Sequence, residues 1–159
     1  MGETLPTIED KLVVFILDEL KYALPLQSVV RIIHAIEIRS LPEAPEIISG
    51  IINIQGQIIP VINIRKRFGL AEREIVLNDQ IMIADTGKRR IAIVVDSVPG
   101  VSDSSSGQLK ETGKTLPFAK HLKGVAKIDD ELILIYDLEQ FLSLDEEKEL
   151  DQAMKTKNK

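Results

Sequence analysis

The sequence predicts an all-β fold with short helices, organised as two small, similar β-barrels. Three observations predict it. Hydrophobic residues make up 44% of the 159 residues, yet aromatics are only 4% and Trp is absent. The core is therefore built from Ile, Val and Leu, and the β-branched members suit a pleated surface. Short apolar runs also recur as strand–turn–strand pairs. Finally, the chain repeats itself. With Leu12 aligned on Ile81, "KYALPLQSVVRI" from Lys21 lies over "RIAIVVDSVPGV" from Arg90, so that Ala23 meets Ala92, Leu26 meets Val95, Ser28 meets Ser97 and Val29 meets Val98. "GIINIQGQIIPVIN" from Gly50 lies over "GVAKIDDELILIYD" from Gly124. Each half reads strand, turn, strand, connection, strand, turn, strand, short helix, and closing each sheet removes its exposed edges.

The elements follow in order. "KLVVFIL" (Lys11–Leu17) is a strand, "DELK" a turn, and "YALPL" (Tyr22–Leu26) the returning strand. Pro25 lacks an N–H, which assigns its strand to a sheet edge or a bulge. Val29, Val30, Ile32 and Ile33 fit a short helix or a strand equally, and Ile36 to Leu41 alternate. "PEAPEIISG" is a loop with room for one helical turn in "PEIIS". Strands at Gly50–Ile54 and Gln57–Ile62 flank a Gln55-Gly56 turn. Asn63 is placed to cap a short helix that Gly69 ends in the left-handed conformation. Gln80–Asp85 and Arg90–Val98 are strands, and "SDSSSGQLKETGKT" is a long polar loop. "HLKGVAKIDDELILIYDLEQFL" makes a second hairpin with Asp129-Asp130 at its turn, then a short helix capped by Asp137. Ser143, three residues before Glu146, opens a terminal helix through a capping box.

Composition excludes several functions. The formal net charge is −5, which argues against nucleic-acid binding, as does the shortage of aromatics on which bases stack. The absence of Cys removes disulfides, zinc thiolates and thiol nucleophiles. The N-terminal "MGETLPTIEDK" has neither the layout of a signal peptide nor the Ser or Thr of a myristoylation signal. No apolar run reaches the ~18 residues of a membrane span, so the expected location is the cytoplasm, without membrane insertion.

No catalytic or metal site emerges, and no cofactor is expected. "TGKTLP" (Thr112–Pro117) partly matches a phosphate-binding loop, but Gln108 stands where the first glycine belongs and Pro117 follows instead of a helix. His34 and His121 lack the neighbouring ligands a metal requires. Ser102–Ser106 lack a nucleophile-elbow context. Asp129, Asp130 and Glu131 read as hairpin-turn residues, and Arg65–Arg67 as a solvated helix face. This favours a binding module over an enzyme.

"GIINIQGQIIPVINI" closely resembles the signature hairpin of the CheW-like coupling proteins of bacterial chemotaxis. "FILDELKYALPLQSVVRII" is similar to that family's opening hairpin, and "RIAIVVDSVPGV" to a further strand. The likeness runs from about Lys11 to Leu144. It implies two five-stranded SH3-like barrels packed together and a stand-alone coupling domain with no kinase fused to it. The expected layout is a flexible N-terminus at 1–10, a single domain at 11–144 with barrels at about 11–76 and 77–144, and a C-terminal helix and tail at 145–159. The implied role is a scaffold joining the cytoplasmic tip of chemoreceptors to the regulatory domain of a CheA-type histidine kinase, recruited to membrane-associated receptor arrays. The same adaptor fold also serves pathways with other outputs, such as pilus motility.

The sequence departs from the family at two places. Gln55 replaces the usual arginine of the turn, and Arg31 replaces a usual acidic residue. The resemblance suggests a groove between the barrels for a receptor helix, with Val29, Arg31, Ile32, Gly50, Asn53, Gln55 and Gly56 as candidate lining. Ile81, Ile83, Val95 and Val98 are the candidates for kinase binding.

Overall fold

The computed structural model describes residues 11–103, 108–110, 122–128 and 130–157. The expected flexible N-terminus, Ser104–Ser106, the "TGKTLP" segment, His121 and Asp129 lie outside them. The strands are β1 (Lys11–Leu17), β2 (Leu20–Pro25), β3 (Val29–His34), β4 (Ile48–Ile54), β5 (Gln57–Ile62), β6 (Gln80–Asp85), β7 (Arg90–Val95), β8 (Ser97–Asp103), β9 (Gln108–Lys110), β10 (Leu122–Ile128) and β11 (Glu131–Tyr136). Two helices complete the fold, α1 (Ile64–Phe68) and α2 (Leu144–Lys157).

The strands form two sheets, ordered β8-β1-β2-β11-β10-β9 and β3-β6-β7-β5-β4. The all-β class and the repeat hold, and the repeat extends to register. Val13 faces Val101 in the first sheet where Met82 faces Ile32 in the second. Ile135 pairs in parallel with Ala23 where Val61 pairs in parallel with Ala92. The sheets are not, however, the two halves of the chain. β3 leaves the first hairpin to join β6, and β8 leaves the β6–β7 hairpin to join β1. The expected barrels at 11–76 and 77–144 are corrected accordingly: the second sheet is the middle of the chain, and the first combines both ends. The expected strand Arg90–Val98 breaks at Asp96 for the same reason. One residue between β7 and β8 is too short for a hairpin, so the chain runs on into the other sheet.

Pro25 also differs from expectation. β2 is a central strand, but its parallel neighbour β11 pairs only at Tyr22 and Ala23, so the missing N–H at Pro25 costs no ladder bond there. The ambiguous Val29–Ile33 run is the strand β3, and "PEIIS" holds a turn, in which the Ile48 N–H donates to the Pro45 carbonyl at 2.9 Å, that leads directly into β4.

Alternating faces fill three cores. Leu12 and Val14 join Ala126, Ile133 and Ile135 within the first sheet, and Ile81 and Ile83 join Ile52, Ile59 and Val61 within the second. Between the sheets lies the largest core, with Val13, Phe15, Leu17, Met82 and Ile93. Every aromatic ring among the described residues belongs to it: Phe15 and Tyr22 stack at 5.6 Å, Phe68 and Tyr136 at 4.1 Å, and Phe141 meets both of the latter edge-on. Burial pushes the Tyr136 hydroxyl well above its ordinary pKa.

Local signals set the ends of elements. The Asn63 side chain accepts from the Lys66 N–H at 3.0 Å, and Gly69 ends α1 at φ 77°. Ser143 and Glu146 form the reciprocal capping box at 3.1 and 2.8 Å. α2 buries Leu150 and Ala153 in the central core and is tied by Arg67–Glu146 at 2.7 Å and Arg89–Glu147 at 2.8 Å. The β1–β2 turn holds Asp18 and Glu19 at φ 52° and 71°, a conformation suited to glycine at its second position. Glu19→Gly should therefore raise stability by about 1 kcal/mol, read as an increase in Tm.

Candidate functional site

The second sheet is closed at one end and open at the other. Its edge strands are β3 and β4. Beyond β3 the chain returns to β4, where Arg39 and Ile51 exchange backbone hydrogen bonds of 2.9 and 2.7 Å. At the opposite end the edges part, leaving a concavity of about 170 Å³ between β3 and the β4–β5 hairpin tip. Val30, Ile54, Ile59 and Ile83 supply its apolar lining, and Arg31, Gln55, Gln57 and Arg90 its polar lining.

The tip is built by its own sequence. Gln55 and Gly56 take φ values of 52° and 90°, the successive left-handed pair of a tight hairpin turn. The Asn53 Oδ1 accepts from the Gly56 N–H at 2.9 Å and holds the turn. Asn53, Gln55 and Gly56 are all exposed. Arg90 donates to the Gln57 side-chain oxygen at 3.3 Å. On β3, Val30 and Ile32 are 43% and 37% exposed. Two aliphatic side chains thus stand open on an unpaired strand edge beside two guanidinium groups.

A second constellation joins the two sheets. Arg65, 8% exposed, forms an ion pair with Asp18 at 2.9 Å and donates to Asp96 at 2.9 Å and to the Ala71 carbonyl at 3.0 Å. Arg73 reaches Asp79 through two hydrogen bonds of 2.9 and 2.8 Å. These bonds hold the Asp79 carboxyl below its usual range, against the opposing effect of burial. Burial raises Asp96, but the Asp18 N–H together with Arg73 and Arg65 outweighs it and leaves the carboxyl lowered. Arg65–Arg67 are therefore not a merely solvated face, because Arg65 and Arg67 are structural ion-pair residues. Among the described residues no group of three or more His, Cys, Asp or Glu side chains is placed to hold a metal.

The sequence profile described as CheW-like domain matches residues 11–146. The chain belongs to the CheW-like domain family. It is similar to the Chemotaxis protein CheW of Thermotoga maritima, 30% identical over 128 residues that cover 80% of this chain and 84% of that protein. The Chemotaxis protein CheW of Klebsiella aerogenes is 25% identical over 153 residues, covering 94% and 92%. The crystal structure of the scaffolding protein TtCheW from Thermoanaerobacter tengcongensis matches the fold with a TM-score of 0.75 at 34% identity, covering 87% of this chain and 96% of that one.

Within this CheW-like domain the anticipated lining separates. Arg31 and Gln55 meet at the concavity, and Ile32 and Gly56 are exposed nearby on the edge strand and the turn. Val29 packs against the central core. Gly50 is buried against its own chain: a Cβ there would lie 2.2 Å from the Arg39 carbonyl oxygen and 2.8 Å from Ile38 Cγ2. A concavity of about 250 Å³ does lie between the sheets, lined by Gln27, Ser28, Asp85, Asp137 and Glu139, but none of the anticipated lining residues borders it, and Arg31 and Gln55 line the mouth of the second sheet instead. Ile81, Ile83 and Val95 are buried at 0%, 2% and 0%, so they form no outer face for a kinase, whereas Val98 is half-buried on the edge strand β8 and packs partly against the central core. Sequence reading missed Gln57 and Arg90 as neighbours. Only the parallel β5–β7 pairing unites them, and no local pattern announces it.

Proposed function

We propose that the chain is a non-catalytic adaptor in bacterial chemotaxis signalling, joining the cytoplasmic tip of a chemoreceptor to the regulatory domain of a CheA-type histidine kinase. The observation that carries this reading is its likeness, over most of both chains, to the Chemotaxis protein CheW of Thermotoga maritima and to a scaffolding protein of the same fold. The geometry supports two docking surfaces. β3 and β8 are the edges that the two halves of the repeat exchange, and each exposes aliphatic side chains, Val30 and Ile32 on β3 and Val101, 54% exposed, on β8. An exposed strand edge with aliphatic side chains suits a partner protein. In this reading the receptor meets β3 and the hairpin tip, and the kinase meets β8. Modest contacts at each surface gain strength when many copies assemble. No helix among the described residues is long and apolar enough to cross a membrane, so attachment to a receptor array would come through the receptor.

Size-exclusion chromatography of the purified chain with a soluble receptor fragment and the kinase tests this. The three should co-elute. Ile32→Glu should remove the receptor and keep the kinase, and Val101→Glu should do the reverse. A folded chain that retains neither partner overturns the proposal.

A further inference from the structure

Among the described residues, the mouth of the second sheet is the one place where arginines have no carboxylate partner. Seven arginines occur in the sequence. Arg39, Arg65, Arg67, Arg73 and Arg89 each pair with a carboxylate. Arg31 and Arg90 have no carboxylate partner among the described residues, and both line the concavity, whose lining contains no Asp or Glu. This is notable in a chain with 25 acidic and 20 basic residues. The Gln57 side chain holds Arg90 in place but leaves its charge uncompensated, and an apolar floor of Ile54, Ile59 and Ile83 lies below.

We infer that this mouth captures a protein carboxylate, an Asp or Glu flanked by an aliphatic side chain, on the partner segment that docks at β3. Guanidinium groups favour carboxylates through charge-assisted, often bidentate hydrogen bonds, and an apolar floor strengthens such a bond by lowering the local dielectric. The volume of about 170 Å³ falls below the range of small-molecule sites, about 300–1,000 Å³; it fits a side chain rather than a nucleotide. Gln55 at the rim leaves the site without a third fixed charge. The inference rests on the adaptor reading and specifies the chemistry of its receptor: the acidic side chain belongs to the partner, and the charge that selects it belongs to Arg31 and Arg90.

The test uses the full chain and soluble cytoplasmic fragments of chemoreceptors from the same genome. Each fragment is made in its natural form and with the Asp and Glu of its tip changed to Asn and Gln. Affinity for the natural fragment should fall at least about tenfold in Arg31→Glu and in Arg90→Glu, with smaller losses in the glutamine variants. It should also fall as salt rises. The neutralised fragment should bind the wild-type chain weakly and discriminate little among the variants. Both arginines are exposed, so unchanged Tm values separate lost binding from lost folding. Natural fragments that bind wild type and both Glu variants equally overturn the inference while leaving the adaptor reading intact. If no fragment binds the wild-type chain, the adaptor reading fails first. Competition by inorganic phosphate at concentrations where chloride does not compete would make the mouth a phosphate site, and also overturns the inference.

Discussion

Gly50→Val should destabilise the protein by about 3 kcal/mol or more, read by chemical denaturation. The first added carbon meets the Arg39 carbonyl oxygen at 2.2 Å and the Ile38 side chain at 2.8 Å, separations no packing adjustment of a side chain alone relieves, because the oxygen is backbone. The strand must move away from the returning segment at Arg39, and the two hydrogen bonds between Arg39 and Ile51 go with it. Overpacking a filled interior costs about 1–3 kcal/mol, and each lost backbone bond about 0.5–1.5 kcal/mol. Because this contact closes one end of the second sheet, receptor binding at the opposite mouth should weaken together with stability. A Gly50→Val protein with wild-type denaturation would mean that residues 38–40 do not close that end.

Arg65→Met should cost about 2 kcal/mol. Removing one member of a buried ion pair costs about 3–5 kcal/mol, but solvent screens part of this interaction because Asp18 and Asp96 retain 44% and 27% of their side-chain exposure, and Asp96 keeps Arg73. The pH dependence identifies the mechanism. Asp96 and Asp79 have lowered carboxyl pKa values in the folded chain, so the unfolded chain takes up their protons first as pH falls. Their contribution is complete above the ordinary carboxylate pKa of about 4 and is lost as pH drops through the lower folded values. Arg65→Met removes part of the lowering at Asp96, so the wild type and the variant should differ most near neutral pH and converge in acid. A gap in stability that stays constant down to strong acid would assign the loss to packing alone.

What the sequence disclosed was local. The Asn63 and Gly69 caps, the Ser143–Glu146 box and the Gln55-Gly56 turn each depend on a few neighbouring residues, and each formed as expected. The repeat revealed equivalent strands but not their partners, since "SVVRII" and "SVPGV" carry the same pattern whichever sheet receives them. Nor did alternation tell which face was outermost. In β6 both faces are buried, Ile81 and Ile83 against one core and Met82 and Ala84 against another, so an apolar run that suggested a docking surface is interior on both sides. Gly50 was expected to line the groove, but it packs against its own chain at Arg39. Arg31 and Gln55 were legible as neighbours only through the family resemblance, and Arg90 became their companion through a parallel pairing of distant strands.

The trading of β3 and β8 between sheets also dictates an order of assembly during translation. By the time Val95 leaves the ribosome every strand of the second sheet has been made, and it can close around Ile59 and Ile81. The opening hairpin, although synthesised first, still lacks both of its neighbours: β8 follows directly, but β11 is finished only at Tyr136. Until then the nascent chain carries an unpaired β2 flank, the kind of edge that invites association with other chains. Cutting the gene at the midpoint of its duplication would therefore yield two fragments that each lack strands the other holds, rather than two miniature proteins.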